Sequence, residues 1–169
     1  MPIIIKKGII TVNICLFKKG KKQSSGVYKN GKRNGMWNYY DDNGNKQARI
    51  IFKNEKVYKY VLWDEAGNVK DEPLIIERKP QYRGGEDALV RKVKRELGHK
   101  LKYLKGISKI WIGIRINEEG KVDDVKIVKP LPPRYQKLIE NFFYKLTWKP
   151  AIQLNRNISI RYTMPITLN

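Results

Sequence analysis

The sequence predicts an α+β fold in which an N-terminal region of β-hairpin repeats precedes a small domain of three strands and two helices. Three observations support this prediction. Turn sequences recur between short aromatic and β-branched segments in the first half of the chain. Two apolar stripes of helical period follow in the second half, and the segments around them alternate apolar and polar residues, which is the period of a strand. The predicted order of the second half is helix, strand, strand, helix, strand.

Composition narrows the function classes. The chain has 169 residues, 41% of them hydrophobic, which suffices for one domain or two small ones and argues against disorder. The net charge of +20 is spread evenly: residues 1–79 carry 17 bases and 8 acids, and residues 80–169 carry 19 and 8. Such a distribution indicates a general attraction to anionic surfaces rather than a basic arm. The single Cys15 excludes a disulfide framework.

The first residues bear only a superficial likeness to a targeting segment. The apolar run from Gly8 to Phe17 is about ten residues long, too short to cross a bilayer. Lys6 and Lys7 precede it, but four lysines follow within residues 18–22 and no small-residue cleavage pattern is present. We therefore expect either that the chain stays in the cytoplasm or that its targeting segment has been trimmed or lost.

Two kinds of turn recur in the first half. An aromatic residue precedes a basic turn at Phe17, Tyr28 and Phe52, and acidic turns occur at residues 41–44 and 64–67. Asn-Gly and similar turns favour hairpins because both residues tolerate positive φ. The segments between them are aromatic and β-branched, so residues 1–67 are predicted to form stacked hairpins.

Residues 26–44 carry a resemblance to a known repeat. They resemble a MORN-type repeat, in the variant that combines tyrosine-x-asparagine-glycine-lysine with glycine-x-tryptophan. A second copy at residues 52–67 departs from it with Glu55 at the glycine position. The resemblance extends over about residues 17–67 and implies a hairpin scaffold for protein or lipid contacts. The alternative is an ordinary meander of strands. The matching residues are Tyr28, Asn30, Gly31, Lys32, Gly35 and Trp37.

Residues 68–79 are predicted to be a linker, because they begin with charged residues and contain proline, which disfavours helix in the residue before it. A first helix is predicted from Glu86 to Gly98, and a second begins at Pro133, since proline is tolerated in the first turn. The apolar stripe of the first helix is Leu89, Val90, Val93 and Leu97; that of the second is Tyr135, Leu138, Ile139, Phe142, Phe143 and Leu146.

Three strands complete the second half. Residues 109–117 alternate isoleucines with Trp111, Gly113 and Arg115, and residues 122–129 return after a hairpin loop. Residues 158–164 alternate strictly, and Pro165 follows them. Because proline is confined to strands that lack a neighbour on one side, the last strand is predicted to be an edge strand.

Residues 80–169 resemble the C-terminal domain of TonB. The resemblance implies a small α+β domain with a three-stranded antiparallel sheet and two helices packed on one face. It also implies a role in energy transduction from the inner membrane to outer-membrane transporters across the periplasm. The Tyr-Pro dipeptide that usually follows the first helix is absent here, and residues 99–103 occupy that region. The matching residues are Pro80, Tyr82, Gly84, Gly85, Glu86, Ala88 and Leu89, then Ile112, Ile114, Ile116, Gly120, Val122, Asp124 and Val125, then Trp148, Lys149, Pro150 and Ala151, and finally Tyr162, Met164, Pro165 and Ile166.

The resemblance implies that partners bind by strand addition, in which an extended peptide pairs with an exposed strand. The expected partner is an outer-membrane TonB-dependent transporter or another protein of the cell envelope, in the periplasm, and an anionic membrane surface is a further expected partner. Trp111 is a candidate accessory contact, because it alternates away from the isoleucines. The implied docking strand comprises Ile158, Ser159, Ile160, Arg161, Tyr162, Thr163 and Met164.

The sequence predicts neither an enzyme nor a cofactor site. His99 is the sole histidine, so a catalytic triad or a histidine metal site lacks parts. The acidic pairs at residues 118–119 and 123–124 flank a hairpin loop, where carboxylates are ordinarily solvated. The alternative function is a basic nucleic-acid-binding protein, suggested by the net charge and by the tyrosines and tryptophans interleaved with lysines over residues 28–63.

Overall fold

The computed structural model describes residues 3–6, 9–18, 20–104 and 106–167, with side chains from residue 13 onward. Lys7, Gly8 and Lys19, which belong to the targeting and first-turn expectations above, lie outside the described residues. The chain divides into two compact units, Met1–Leu74 and Ile75–Asn169. This division falls within the predicted linker, residues 68–79.

The first unit is a single antiparallel sheet whose strands follow one another in chain order. It is an up-and-down meander in which each strand pairs with its sequence neighbours. The last strand extends the sheet past residue 67, because it pairs with the strand before it. The strands are β1 (Ile3–Lys6), β2 (Ile9–Lys18), β3 (Lys21–Lys29), β4 (Lys32–Tyr40), β5 (Lys46–Lys53), β6 (Lys56–Trp63) and β7 (Val69–Lys70).

The core of the first unit forms around the indole of Trp37. Ile50 and Phe52 of β5 are buried with it, since alternate residues of a strand face the same side. The indole lies against Gly26, where a Cβ would overlap the ring. Its Nε1 also donates a hydrogen bond to the carbonyl oxygen of Val27 at 3.1 Å. A residue without a side chain is therefore required at position 26.

The second unit mixes short strands with helices. Three of its strands form an antiparallel sheet in which β10 lies between β11 and β15, and two smaller sheets join β9 to β12 and β13 to both β8 and β14. Its elements in the described residues are β8 (Glu77–Arg78), β9 (Gln81–Tyr82), α1 (Gly85–Val93), a π-helical segment (Lys94–Gly98), α2 (His99–Leu101), β10 (Lys109–Ile116), β11 (Val122–Ile127), α3 (Pro133–Tyr144), β12 (Trp148–Lys149), β13 (Ala151–Gln153), β14 (Arg156–Ile158) and β15 (Ile160–Thr167).

Helices cover one face of the three-stranded sheet. The isoleucines of β10 at positions 110, 112, 114 and 116 are buried on that face. They belong to one core cluster with Leu89 and Leu97 from the first helical segment and with Ile139 and Phe143 from α3. The helical and strand periods in the sequence converge on this cluster, as burial of both apolar faces requires.

The predicted α+β class is confirmed, and the finer description is matched in part. The sequence does not predict the two small sheets, because strands of two or three residues are too short to display a period. One of them includes β8, so both ends of the predicted linker carry paired strands. In the described part of the chain, no helix is long and apolar enough to cross a membrane.

The first helical segment corrects two expectations. Gly98 does not end it, since helical backbone continues through Leu101. Gly98 has φ −52° and ψ −55°, an ordinary helical conformation rather than that of a left-handed cap. Val90, predicted within the apolar stripe, is 49% exposed. It lies about 100° around the helix axis from Leu89, and the core covers Leu89 but not Val90.

Candidate functional site

Strand β15 is an open edge of the three-stranded sheet. Its residues pair with β10 from Ile160, opposite Ile116, to Thr167, opposite Lys109, without a shift of register. In the described chain, no strand lies beyond it. Alternate residues of an edge strand present unpaired N–H and C=O groups outward. Pro165 lies inside the strand, which is compatible with an edge position because a central strand would need its N–H.

The docking strand predicted from the sequence is displaced along the chain. Ile158 belongs to β14 and pairs with Ala151, and Ser159 lies in the break before β15. Glu118 of the β10–β11 loop holds this break: its Oε1 accepts from the Ser159 N–H at 3.2 Å, and its backbone oxygen accepts from Asn157 Nδ2 at 3.1 Å. The prediction was wrong for these two residues because the alternation of side chains runs through the break unchanged. The open edge, called the docking edge below, is Ile160–Thr167; of the predicted residues it contains Ile160, Arg161, Tyr162, Thr163 and Met164.

The docking edge presents different side chains on its two faces. Tyr162, Met164 and Ile166 pack against the core cluster. Arg161 and Thr163 are exposed on the opposite face. A peptide added to this edge would continue both faces, because residues that pair across strands point to the same side of the sheet.

A groove of about 900 Å³ follows the docking edge. The residues of β15 from Tyr162 to Thr167 form one wall, and Leu89, Val90 and Val93 of α1 contribute to the other. Its volume lies within the range of ligand sites, about 300–1,000 Å³. The exposed Val90 is therefore part of an apolar wall. We call this feature the edge groove.

The charged residues of the edge groove are mainly basic. Arg83, Lys94 and Lys149 line it, against the single acid Glu86 in the described lining. The surrounding unit has the same sign, since residues 75–169 contain 21 lysines and arginines and nine acids. A basic groove of this kind attracts acidic segments and raises their rate of encounter.

Trp148 forms part of the wall of the edge groove. Its ring contacts Tyr82 and Tyr162 edge to face, with ring centroids 5.4 and 6.1 Å apart. Its backbone N–H donates to the Gly120 oxygen at 2.8 Å, which joins β12 to the β10–β11 loop. The side chain is 6% exposed. Trp148 is therefore a packing residue that fixes the groove wall.

Trp111 lies on the open face of the sheet, as its alternation with the isoleucines predicts. It is 47% exposed, and Lys109 Nζ lies 5.9 Å from its ring centroid. Arg115 on the same face bonds Asp123 at 2.6 Å, and this hydrogen bond raises the pKa of the arginine. Because β15 would lie between β10 and a bound peptide, Trp111 would reach only the side chains that the peptide places on this open face.

Three of the four carboxylates considered for catalysis form ion pairs, among them Asp124 with Arg161 at 2.6 Å, and the fourth, Glu118, accepts a backbone hydrogen bond. Glu119 Oε2 lies 2.8 Å from Lys121 Nζ, and the hydrogen bond between them lowers the pKa of Glu119. Asp123 is bound to Arg115. Within the described residues, no group of three or more histidines, cysteines and acids is placed to hold a metal ion.

Sequence reasoning missed the edge groove. Its walls come from residues 80–94, 148–149 and 162–167, and no periodicity reveals which separate segments will face each other. One feature of the sequence pointed to the region, the Gly84-Gly85 pair. Its φ values of 86° and 81° allow the turn before α1, which lines the groove together with β15.

The first unit carries a second basic surface, at one end of its sheet. Alternate turns of a meander lie at the same end, so the β3–β4 and β5–β6 turns are neighbours. We call them the basic turns, after the exposed lysines that flank them, at 29, 32, 53 and 56. Tyr58 beside them is 56% exposed, and Lys53 Nζ lies 3.6 Å from its ring centroid. The acidic turns lie at the opposite end, where Asp42 contacts Lys18 at 3.5 Å.

Glu55 occupies the glycine position of the second repeat with φ of 71°. Arg33 of the neighbouring hairpin supports it: Arg33 Nε and the Arg33 backbone N–H each donate to the Glu55 carboxylate at 2.6 Å. The hydrogen bond from the guanidinium lowers the pKa of Glu55 below its ordinary value. The sequence departure is thus compensated by a charge pair between adjacent repeats.

The aromatic residues that suggested nucleic-acid stacking are largely packed. Trp37 is buried and contacts Tyr28 and Phe52 edge to face. Its ring is therefore inaccessible to a base, while Tyr58 and Tyr60 stay exposed.

Comparison of the chain with protein-family models, curated proteins and solved structures finds no match.

Proposed function

We propose that the protein is a TonB-like interaction module that binds an extended segment of a partner protein by strand addition at the docking edge. The observation that carries the proposal is the combination of an unpaired edge strand with the apolar, basic-rimmed edge groove beside it. Backbone hydrogen bonds would hold the segment, and its alternate side chains would enter the groove. The proposal is for binding, without a catalytic residue or a cofactor.

The length of the edge suits a short segment. Eight residues form β15, which at about 3.3 Å each extend over roughly 26 Å. In about half of them, the backbone N–H and C=O groups point away from β10 and are open to a peptide. Each net hydrogen bond contributes about 0.5–1.5 kcal/mol, so the backbone alone supports only modest affinity after the cost of ordering the peptide. Burial of side chains in the edge groove would supply the remainder and the selectivity.

The proposed partner is an outer-membrane TonB-dependent transporter or another envelope protein, with the protein acting in the periplasm in support of transport. This part of the proposal rests on the order of sequence landmarks in residues 80–169, which resembles that of a TonB C-terminal domain. Helix, two strands, helix and final strand follow in that order. The repeat sheet of the first unit would provide further protein or membrane contacts.

The test is calorimetry of the full chain with peptides from the plug regions of outer-membrane transporters. We expect binding that Ile160→Pro weakens, with the fold of the variant checked by circular dichroism. A sharper control uses peptides N-methylated at alternate residues. One set of methylated peptides should lose binding and the other should keep it, because only one set of amides faces β15. Equal binding by both sets would contradict strand addition.

A second candidate function is binding of single-stranded nucleic acid at the basic turns. The specific observation in its favour is the row of lysines beside the exposed Tyr58. The turns are two strands apart, about 10 Å, so the lysines could follow a phosphate backbone while the ring stacks on a base. This candidate requires DNA or RNA affinity that falls steeply with salt and that Lys53→Glu and Lys56→Glu abolish together. Absence of binding at low salt would exclude it.

A further inference from the structure

A smaller cavity of about 210 Å³ continues the edge groove at the end of β15. Leu97, Leu101 and Ile166 line it, together with Gly98 and with Val93, which it shares with the groove. A cavity of about 150 Å³ in another protein holds benzene. The space is therefore large enough for a phenyl ring or a branched aliphatic side chain. We call it the anchor cavity.

The wall of the anchor cavity is the π-helical segment. The π-helix is rare and occurs frequently at functional sites, because one extra residue displaces the helix surface. Here it lies between two ordinary helical stretches, and Leu97 and Gly98 within it contribute to the cavity. The deviation from helical geometry thus coincides with the space beside the docking edge.

The rim of the anchor cavity is basic. Lys94 and Lys102 line it and are exposed, and neither has an acid within ion-pair distance in the described residues. The acid nearest in sequence, Glu96, is engaged by Lys92 and Arg95 at 3.8 and 3.2 Å. The two rim lysines are therefore available to a carboxylate from outside the chain.

The register of strand addition connects the cavity to a bound segment. Directly paired residues of neighbouring strands point to the same face. A peptide residue opposite Ile166 would therefore point to the core side, as Ile166 does, and would enter the anchor cavity. Residues two and four positions away would lie opposite Met164 and Tyr162 and would enter the main groove.

We infer that the anchor cavity selects the partner: it receives a bulky apolar side chain of an added peptide, and one or two acidic residues beyond this side chain, past the end of β15, pair with the rim lysines. The inference rests on the proposed strand addition and adds the chemistry of the segment. The ligand is an extended peptide with apolar residues at three alternate positions, of which the terminal one is large and is followed, outside the paired strand, by Asp or Glu. Within the strand, a residue adjacent to the anchor would point to the opposite face.

Charge argues for such a peptide rather than a second copy of this chain. In a symmetric dimer the segment facing the rim would be another β15. That strand carries no acid, and its one charged residue, Arg161, is already paired with Asp124 at 2.6 Å, so it offers no carboxylate to the rim lysines. An acidic segment instead removes the repulsion between the rim lysines and gains from the field of the whole unit.

The test uses a synthetic seven-residue peptide with Phe at the anchor position, Val at the next two alternate positions, Ser and Thr between them, and two Glu at the end of the peptide beyond the Phe. Its affinity for the full chain is measured by fluorescence anisotropy. Replacement of the Phe by Ala should weaken binding about 10- to 100-fold, the effect expected from burying an aromatic side chain. Replacement of both Glu by Gln should weaken it about three- to tenfold.

The chain offers a variant that fills the cavity. Gly98 has helical φ and nothing within 4 Å of the position of a Cβ, so Gly98→Phe can be accommodated without backbone strain. This variant should bind the Phe and Ala peptides equally, and Gly98→Ala is its matched control. Lys94→Glu with Lys102→Glu should abolish the preference for acidic peptides, whereas Lys100→Glu on the same helix, outside the cavity lining, should preserve it.

The outcomes separate the inference from the proposed function. Equal affinity of the Phe and Ala peptides, with sensitivity to alternate N-methylation retained, would overturn the anchor cavity and leave strand addition standing. Failure of every peptide to bind would overturn both. A dimer seen by analytical ultracentrifugation and abolished by Ile160→Pro would identify a second copy as the occupant and would likewise overturn the inference.

Discussion

Gly120 is a position in the second unit that cannot accept a side chain. Its φ is +81°, and a Cβ there would overlap the Trp148 carbonyl oxygen and lie 3.0 Å from the carbonyl carbon. The Trp148 N–H also donates to the Gly120 oxygen at 2.8 Å. Because the obstructing atoms belong to the backbone, they cannot rotate away. Gly120→Ala must therefore separate the β10–β11 loop from β12 and disturb the groove wall that contains Trp148.

The expected loss in the free energy of unfolding has two contributions. A left-handed conformation costs a non-glycine residue about 1–2 kcal/mol, and forced overpacking adds about 1–3 kcal/mol. Gly106 is the matched control, since it has φ of +74° and nothing within 4 Å of the position of a Cβ. We expect Gly120→Ala to lower the free energy of unfolding by about 3 kcal/mol and Gly106→Ala by about 1 kcal/mol. The entropy that alanine removes from the unfolded chain is common to both variants.

Native-state hydrogen exchange of the β10 amides measures this difference, because it reports the second unit without interference from the first. Urea unfolding gives a second value, provided that the m-value is unchanged between variants. Gly120→Ala should also weaken peptide binding more than Gly106→Ala does. Equal losses of stability in the two variants would refute the argument that the carbonyl of Trp148 excludes a side chain.

Three further predictions concern other parts of the chain. Gly26→Ala should displace the Trp37 indole and destabilise the first unit by about 1–3 kcal/mol, seen as a red-shifted tryptophan emission; an unchanged spectrum and stability would contradict the close packing. Glu55→Gln should cost no more than about 1 kcal/mol at pH 7 because Glu55 is partly exposed. Its pKa is lowered by Arg33, so the stabilisation is complete above the unfolded value of about 4.3 and is lost as the pH falls through the lower folded value; a stability difference from wild type that persists at pH 2 would oppose this. Trp111→Ala should weaken the binding of a plug peptide less than Ile160→Pro does. A larger effect would indicate that the peptide binds on the open face of the sheet.

Periodicity predicted the long elements that bury only one of their faces. Strand β10 alternates over eight residues, and the stripe from Tyr135 to Leu146 corresponds to α3, which ends at Tyr144. In both cases one face meets the core and the other meets water, so the pattern of side chains records the geometry directly. The elements that this reasoning missed are those set by a few specific contacts.

The break at Ser159 illustrates such a contact. The hydrogen bond from its N–H to Glu118 joins residues 41 positions apart. An alternating pattern of apolar and polar residues does not reveal such a contact. The π-helical segment is similar: four of its five residues are good helix formers, and nothing in their order indicates the wider turn. The edge groove likewise combines separate segments of the chain, which is why the candidate site was predicted as a strand but not as a strand beside a groove.

The β10–β11 loop emerges as the element that aligns the candidate site. Glu118 fixes where β15 begins, and Gly120 fixes the position of β12 and hence of Trp148 in the groove wall. The register matters because side chains alternate: a slip of one residue would turn Arg161, Thr163 and Pro165 toward the core in place of the apolar set. With Ile160 opposite Ile116, Tyr162, Met164 and Ile166 lie on the core side of the sheet. A loop that carries no binding residue of its own thus determines which chemistry the docking edge presents.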